Sequence, residues 1–215
     1  MQKRAVVVLG LLMLGMVLPV AAQDVAILRQ NQFEVGGFAG FSYGVDHSRV
    51  MGGGNITYSA LTWLLPYAEF SYFPSIERTY LSPLPDGSPN YKEVFDIPLT
   101  DANFGVHARV RLPHTRIVPY VVAGVGLLHS PARTENRYDY EPNTGSYSST
   151  PSSLVLVPVS TNFAANFGGG FRYYLNERFG LRAETKGYLL RSGPLYQTGR
   201  WIYRATFGVF FQFGG

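Results

Sequence analysis

From Asn162 to Leu190 the chain reads NFAANFGGGFRYYLNERFGLRAETKGYLL, and it alternates with a period of two. Phe163, Ala165, Phe167, Gly169, Phe171, Tyr173 and Leu175 form one row; Asn162, Ala164, Asn166, Gly168, Gly170, Arg172 and Tyr174 form the other. After Asn176-Glu177-Arg178 a second alternation sets Leu181, Ala183, Thr185, Gly187 and Leu189 against Arg182, Glu184 and Lys186. Period two is the signature of a strand with two distinct faces. Soluble sheets alternate as well. Here the strands are long, and the charged row stands opposite an aromatic-rich row that carries no charge. That pattern suits a strand with lipid on one side and a polar barrel interior on the other.

Composition agrees. Charged residues make up 15% of the 215 residues, against roughly 25% in typical soluble domains. Fifteen Tyr, 15 Phe and 24 Gly accompany only two Trp. A mean hydropathy of +0.02 is too low for a bundle of membrane helices. A secreted β-sandwich shares this composition, so the decision rests on pattern.

The chain opens with MQKRAVVVLGLLMLGMVLPVAAQD. Lys3 and Arg4 form a basic start, Ala5 to Leu18 an uncharged apolar run, and Val20-Ala21-Ala22 a small-residue cleavage site. This reads as a signal peptide over residues 1–22, followed by a short leader over 23–31. The apolar run is shorter than the ~20 residues a spanning helix needs. There is no Cys, which excludes disulfides and lipoprotein anchoring through an N-terminal Cys. Removing Lys3 and Arg4 leaves sixteen basic residues against fourteen acidic. With no basic run, nucleic acid is not an expected partner.

Eight strands follow in order. The first covers Gln32 to Gly44, with Phe33, Val35, Gly37, Ala39, Phe41 and Tyr43 on one face. A loop over Gly44–Gly53 leads to a second strand over Gly54–Thr62, its outer face Ile56, Tyr58 and Ala60. Trp63-Leu64-Leu65-Pro66 reads as a tight connection, because Pro removes a ladder donor. The third strand runs from Tyr67 to Phe73. Residues 74–98 read as a long loop around the turn signal Pro85-Asp86-Gly87. The fourth strand, Thr100 to Leu112, turns Asn103, Gly105, His107, Arg109 and Arg111 inward. The fifth, Ile117 to Leu128, holds twelve residues, too few for a spanning helix. Residues 130–160 form the longest loop, the opening hairpin supplies strands six and seven, and Arg191 to Gly199 is a modest loop. The last strand runs from Trp201 to Phe213.

Connections after the odd strands are long or variable, and those after the even strands are tight. In an up-and-down barrel this places long loops at one end and short turns at the other, as in outer-membrane barrels. The chain therefore resembles the small eight-stranded outer-membrane proteins of the outer-membrane protein A and X type, over about Gln32 to Phe213. The resemblance implies an all-β, antiparallel, up-and-down transmembrane barrel in the bacterial outer membrane, among its lipid and lipopolysaccharide. It also implies that the last strand, with Phe207, Val209, Phe211 and Phe213, is the signal read by the barrel-assembly machinery. Gly214 and Gly215 after Phe213 depart from the usual terminal Phe.

The polar constellation is the inward row Glu69, Arg109, Arg172, Arg182, Glu184, Lys186 and Arg204. Charges facing hydrocarbon cost several kcal/mol each, so these face the lumen and need partners there. Eight strands leave an interior just wide enough for side chains, which favours a salt-bridged filling over a conducting path. Folding the hairpin about 176–179 places Arg172 level with 183–185, beside Glu184. Trp63, Trp201 and Tyr203 near strand ends read as an aromatic girdle. His129-Ser130 suggests a lipid-modifying hydrolase or acyltransferase, but adjacent strand residues point to opposite faces. His47, His107, His114 and His129 show no metal spacing, and Gly52–Gly54 and Gly168–Gly170 lead into no helix that would cradle phosphate. No cofactor is expected.

Three functions follow. The first is a structural or surface-interaction role, through Tyr-rich loops such as Arg137-Tyr138-Asp139-Tyr140-Glu141. The second is a narrow channel for small solutes. The third is an outer-membrane enzyme acting on lipid. On the same reading, Arg at position 166 should be milder than Arg at the lipid-facing 167.

Overall fold

The structure, a computed structural model, describes residues 28–43, 48–112, 115–190 and 201–214. The expected signal peptide over 1–22 and most of the expected leader over 23–31 lie outside the described residues, as do His47, His114 and the expected loop after Leu190.

Among the described residues there are thirteen strands: β1 (Phe33–Tyr43), β2 (Arg49–Tyr58), β3 (Leu64–Phe73), β4 (Glu77–Pro83), β5 (Pro89–Asp96), β6 (Leu99–Arg109), β7 (Ile117–Ser130), β8 (Arg133–Glu141), β9 (Ser146–Tyr147), β10 (Ser153–Val157), β11 (Ser160–Tyr174), β12 (Phe179–Leu190) and β13 (Trp201–Phe213). Eight of them close into a barrel in the order β1-β2-β3-β6-β7-β11-β12-β13, with β13 returning to β1. Every pairing is antiparallel, and closure leaves the barrel no open edge.

The alternation decides which side of each strand is buried. Phe104, Val121, Phe167, Phe207 and Val209 are exposed on the outside, while Asn103, Val122, Asn166, Arg204 and Thr206 face inward and are buried. A backbone crossing lipid must satisfy all its hydrogen bonds internally, and a closed barrel does so. Gly180 shows how tightly the interior is filled: a Cβ there would lie 2.2 Å from the Phe210 ring.

Several expectations are corrected. β2 begins at Arg49 and ends at Tyr58, so 49–53 is strand and Ala60 lies in the turn. The glycines of Met51-Gly52-Gly53-Gly54 hide this start, because they show no alternation. The outward phase of Ile56 holds, and Asn55 and Thr57 on either side of it are buried. Leu64–Pro66 belongs to β3 rather than to the turn; Pro66 sits one residue past the last β2–β3 pair, Thr57↔Tyr67, where that ladder has ended. Arg111 lies beyond β6 and is exposed instead of facing inward.

The largest correction concerns the two long loops. Residues 74–98 form the hairpin β4–β5, and residues 130–160 contain β8, β9 and β10. Together they build a second, five-stranded sheet in the order β10-β8-β5-β4, with β9 on β8. The turn signal at Pro85-Asp86-Gly87 holds: Gly87 has φ +82° and its N–H donates to the Leu84 carbonyl at 2.8 Å. Ser88 donates through N–H and Oγ to Asp86 Oδ1, at 2.9 and 2.6 Å, and these bonds hold the Asp86 carboxyl below its ordinary pKa.

Candidate functional site

The lumen is layered. At its centre Glu69 on β3, Glu184 and Lys186 on β12 and Arg204 on β13 form a two-by-two ion cluster. Lys186 Nζ lies 3.0 Å from Glu69 Oε1 and 3.3 Å from Glu184 Oε1. Arg204 Nη2 lies 2.5 and 3.1 Å from the same two oxygens. The Tyr120 hydroxyl donates to Glu184 Oε2 at 2.8 Å, and Arg204 Nη1 donates to Ser71 Oγ at 3.2 Å. The four charged side chains are 0% exposed. Burial at that depth stands only because each charge meets two opposite ones.

Toward the end carrying the short turns, Arg172 donates to Glu34 from Nε and Nη2, at 3.3 and 3.2 Å. Nη2 also donates to His107 Nδ1 at 2.9 Å. His107 is stacked between Tyr67 and Tyr120, with centroid distances of 4.5 and 4.9 Å. Accepting at Nδ1 fixes the ring as the neutral tautomer protonated on Nε2. Arg109 takes no carboxylate among the described residues; it donates to the Thr62 carbonyl at 2.6 Å and ties the β2–β3 turn to the lumen.

Toward the other end, Asp101 Oδ2 accepts from Ser71 at 2.9 Å, Tyr188 at 2.9 Å and Asn103 at 2.5 Å. Asn103 and Asn166 bond to each other at 2.9 Å, and Tyr67 donates to Asn166 at 3.0 Å. Apolar clusters close both ends. Phe38, Phe73, Leu128 and Ile202 from the barrel pack with Ile76, Phe95 and Val157 from the second sheet and its base. At the turn end Val118, Tyr174 and Phe210 pack together with Leu28 of the leader against them.

All seven charged residues expected in the lumen are there and buried. The Arg172–Glu184 pairing is not. Arg172 stands opposite Arg182 in the ladder, and Glu184 stands opposite Gly170. The register is one residue off the assumed pivot, and Arg172 turns to Glu34 across the barrel. Glu34 and Asp101 are missing from the expected row although their parity marks them as inward. Each is the lone acid of its own strand's row, with no neighbouring charge to draw attention.

Trp201 and Tyr203 stack at 6.1 Å near one rim, Tyr203 stacks on Tyr43 at 5.4 Å, and Trp201 meets Phe167 edge-on at 5.5 Å. Trp63 is exposed at the opposite rim. There the rings of Tyr58, Phe33, Phe213, Phe211 and Phe179 form a continuous outer chain, each 4.8–6.0 Å from the next. Phe207, Val209 and Phe213 of β13 all face outward and are exposed. His129 bonds Thr161 at 2.9 Å on the exposed side, while buried Ser130 accepts from Arg133 at 2.6 Å, so the two point apart.

The second sheet is pinned on its inner side. Arg137 donates twice to Glu93 Oε1, at 3.0 and 2.6 Å, and lies 4.1 Å above the Tyr91 ring. Arg133 pairs with Glu135, which also accepts from the Asp96 N–H at 3.0 Å. Outward it shows Leu81, Leu154 and Leu156.

A closed eight-stranded barrel with an apolar outside and an ionic inside is a transmembrane β-barrel of the outer-membrane type. Solved structures share this fold. The N-terminal β-barrel domain of Pseudomonas aeruginosa OprF matches with TM-score 0.51 at 18% identity, over 86% of this chain and 98% of that one. Neisserial surface protein A matches with TM-score 0.55 at 12% identity, over 84% and 97%. Pseudomonas aeruginosa OprG matches with TM-score 0.51 at 14% identity, over 89% and 100%. No protein-family model and no curated protein matches the sequence.

Proposed function

We propose that the protein sits in the bacterial outer membrane as a closed pedestal that presents the β4–β5–β8–β9–β10 sheet at the cell surface, where it contacts a partner protein. The observation that carries this reading is the sheet itself. An ordered sheet with partly buried ion pairs beneath it offers a contact surface with little ordering cost on binding. β10 pairs with β8 alone among the described residues, and it exposes Leu154 at 68% and Leu156 at 75%. An open, apolar edge strand is a template for pairing with another chain. The lumen, filled at its centre by fully buried ion pairs, supports a non-conducting barrel, and the divergent His129 and Ser130 speak against a hydrolase. In this reading residues 1–22 are removed as a signal peptide, and Trp63, Trp201 and Tyr203 lie at headgroup level amid lipid and lipopolysaccharide. Phe207 to Phe213 would serve the assembly machinery.

Attachment of cells to host and bacterial surfaces tests the role. Leu154→Lys with Leu156→Lys, displayed in equal amount, is expected to reduce attachment at least tenfold. Unchanged attachment would remove the sheet edge from the proposal.

Protease treatment of intact cells tests the topology. Nicks are expected at the hairpin tips, 84–88 and 141–146, and not within the paired strands, although Lys92, Arg133 and Arg137 lie there. Cleavage confined to the 110–116 turn would invert the barrel.

A further inference from the structure

We propose that the lumen binds one small monovalent anion, of halide size, between Arg172 and Arg182. The two guanidinium groups belong to residues directly opposite each other in the β11–β12 ladder, on the inward face. Like charges in that position repel, and burial removes the water that would screen them. Arg172 is answered by Glu34 through Nε and Nη2, but its buried Nη1 has no partner. Arg182 is 4% exposed, its buried Nη1 has no partner, and it forms no hydrogen bond or ion pair among the described residues. Its Cζ lies 5.4 Å from the Phe38 ring, and its charge acts on Glu184 without a direct ion pair. Glu184, two residues along the same face, is already shared by Lys186 and Arg204.

The charge balance points the same way. Arg109, Arg172, Arg182, Lys186 and Arg204 are buried in the barrel against Glu34, Glu69, Asp101 and Glu184. His107 adds nothing, because its Nδ1 accepts from Arg172. Among the described residues, one positive unit is left over. Across the barrel, on β2, Thr57 Oγ1 and both side-chain amide atoms of Asn55 are also buried without partners, and Thr57 stands opposite Glu34 in the β1–β2 ladder. Buried donors without acceptors are rare in folded proteins and call for a bound species. A water would satisfy a donor and leave the charge. A divalent oxyanion would overshoot the balance. A halide accepts from both Nη1 groups, separates the like charges and cancels the surplus.

The inference rests on the closed lumen of the proposed function. The test is the refolded full barrel, crystallised in bromide, with anomalous scattering recorded. A bromide peak between the Arg172 and Arg182 guanidinium groups is expected; water alone there overturns the site. In parallel, unfolding by urea is followed as chloride replaces gluconate at constant ionic strength. Above its dissociation constant, each tenfold rise in chloride should multiply the folding constant about tenfold. Arg182→Leu should show no such dependence, and an equal response in both proteins overturns the proposal. If that variant does not refold, the bromide map and the wild-type titration still decide. Single-channel recording on the same sample separates the failures: steady conductance breaks the closed-lumen reading, whereas a silent barrel without bromide breaks only the anion site.

Discussion

Glu184→Gln is expected to destabilise the refolded barrel by about 3–5 kcal/mol, the usual cost of removing one partner from a dry buried ion pair. Glu184 is shared by Lys186 and Arg204 and also accepts from Tyr120. Without its charge, Glu69 alone must answer both cations. Urea unfolding in detergent or lipid, wild type against variant, measures the loss. In a wet lumen, water would take over the screening, and the loss would fall below about 1 kcal/mol. A small loss together with steady wild-type conductance would replace the closed barrel with a channel.

Phe167→Arg is expected to cost about 2–4 kcal/mol in a bilayer, because it places a charge on the lipid face near the middle of a strand. Phe167 is 54% exposed at the centre of β11, between Ala123 and Gly187 in the register. Phe167→Leu is the control for the lost contact with the Trp201 ring. If Arg costs no more than Leu, that face does not meet hydrocarbon. The lumen side offers no mild comparison, contrary to the sequence expectation for position 166. Asn166 is 2% exposed and bonded to Asn103 and Tyr67, so an Arg there has no room.

The barrel was legible in the sequence because lipid imposes a strict rule on every second residue. From Phe163 to Leu189 and from Trp201 to Phe213 the parity read from the chain is the parity of the fold. Where the rule relaxes, legibility fails. The glycines at 52–54 hide the start of β2. In β8 the sequence Arg-Thr-Glu-Asn-Arg-Tyr-Asp-Tyr-Glu alternates charge with neutral polar and aromatic groups, so a period-two search for apolar residues passes over it. The reason is physical: its buried face meets ion pairs to Glu93 and within Arg133–Glu135 instead of a hydrocarbon core. Which cation meets which acid was not legible either. Arg172 and Glu34 are 138 residues apart, and only the closed ring brings them together.

The seam between β1 and β13 bears on how such an interior comes to exist at all. Gln32 and Gln212, 180 positions apart, bond at 2.7 Å beside the eleven residue pairs of that ladder. Contacts of such long range form late, since the loop entropy must be met before they repay it. Until the seam zips, the curling sheet is an open trough, and Glu34 on β1 and Glu69 on β3 stand away from Arg172 and Arg204. The cations can then choose their carboxylates while still hydrated. Water is squeezed out in one concluding event, when the first and last strands meet. The order of assembly thus defers the dehydration of nine charged side chains to the closure that brings Glu34 to Arg172 and Glu69 to Arg204.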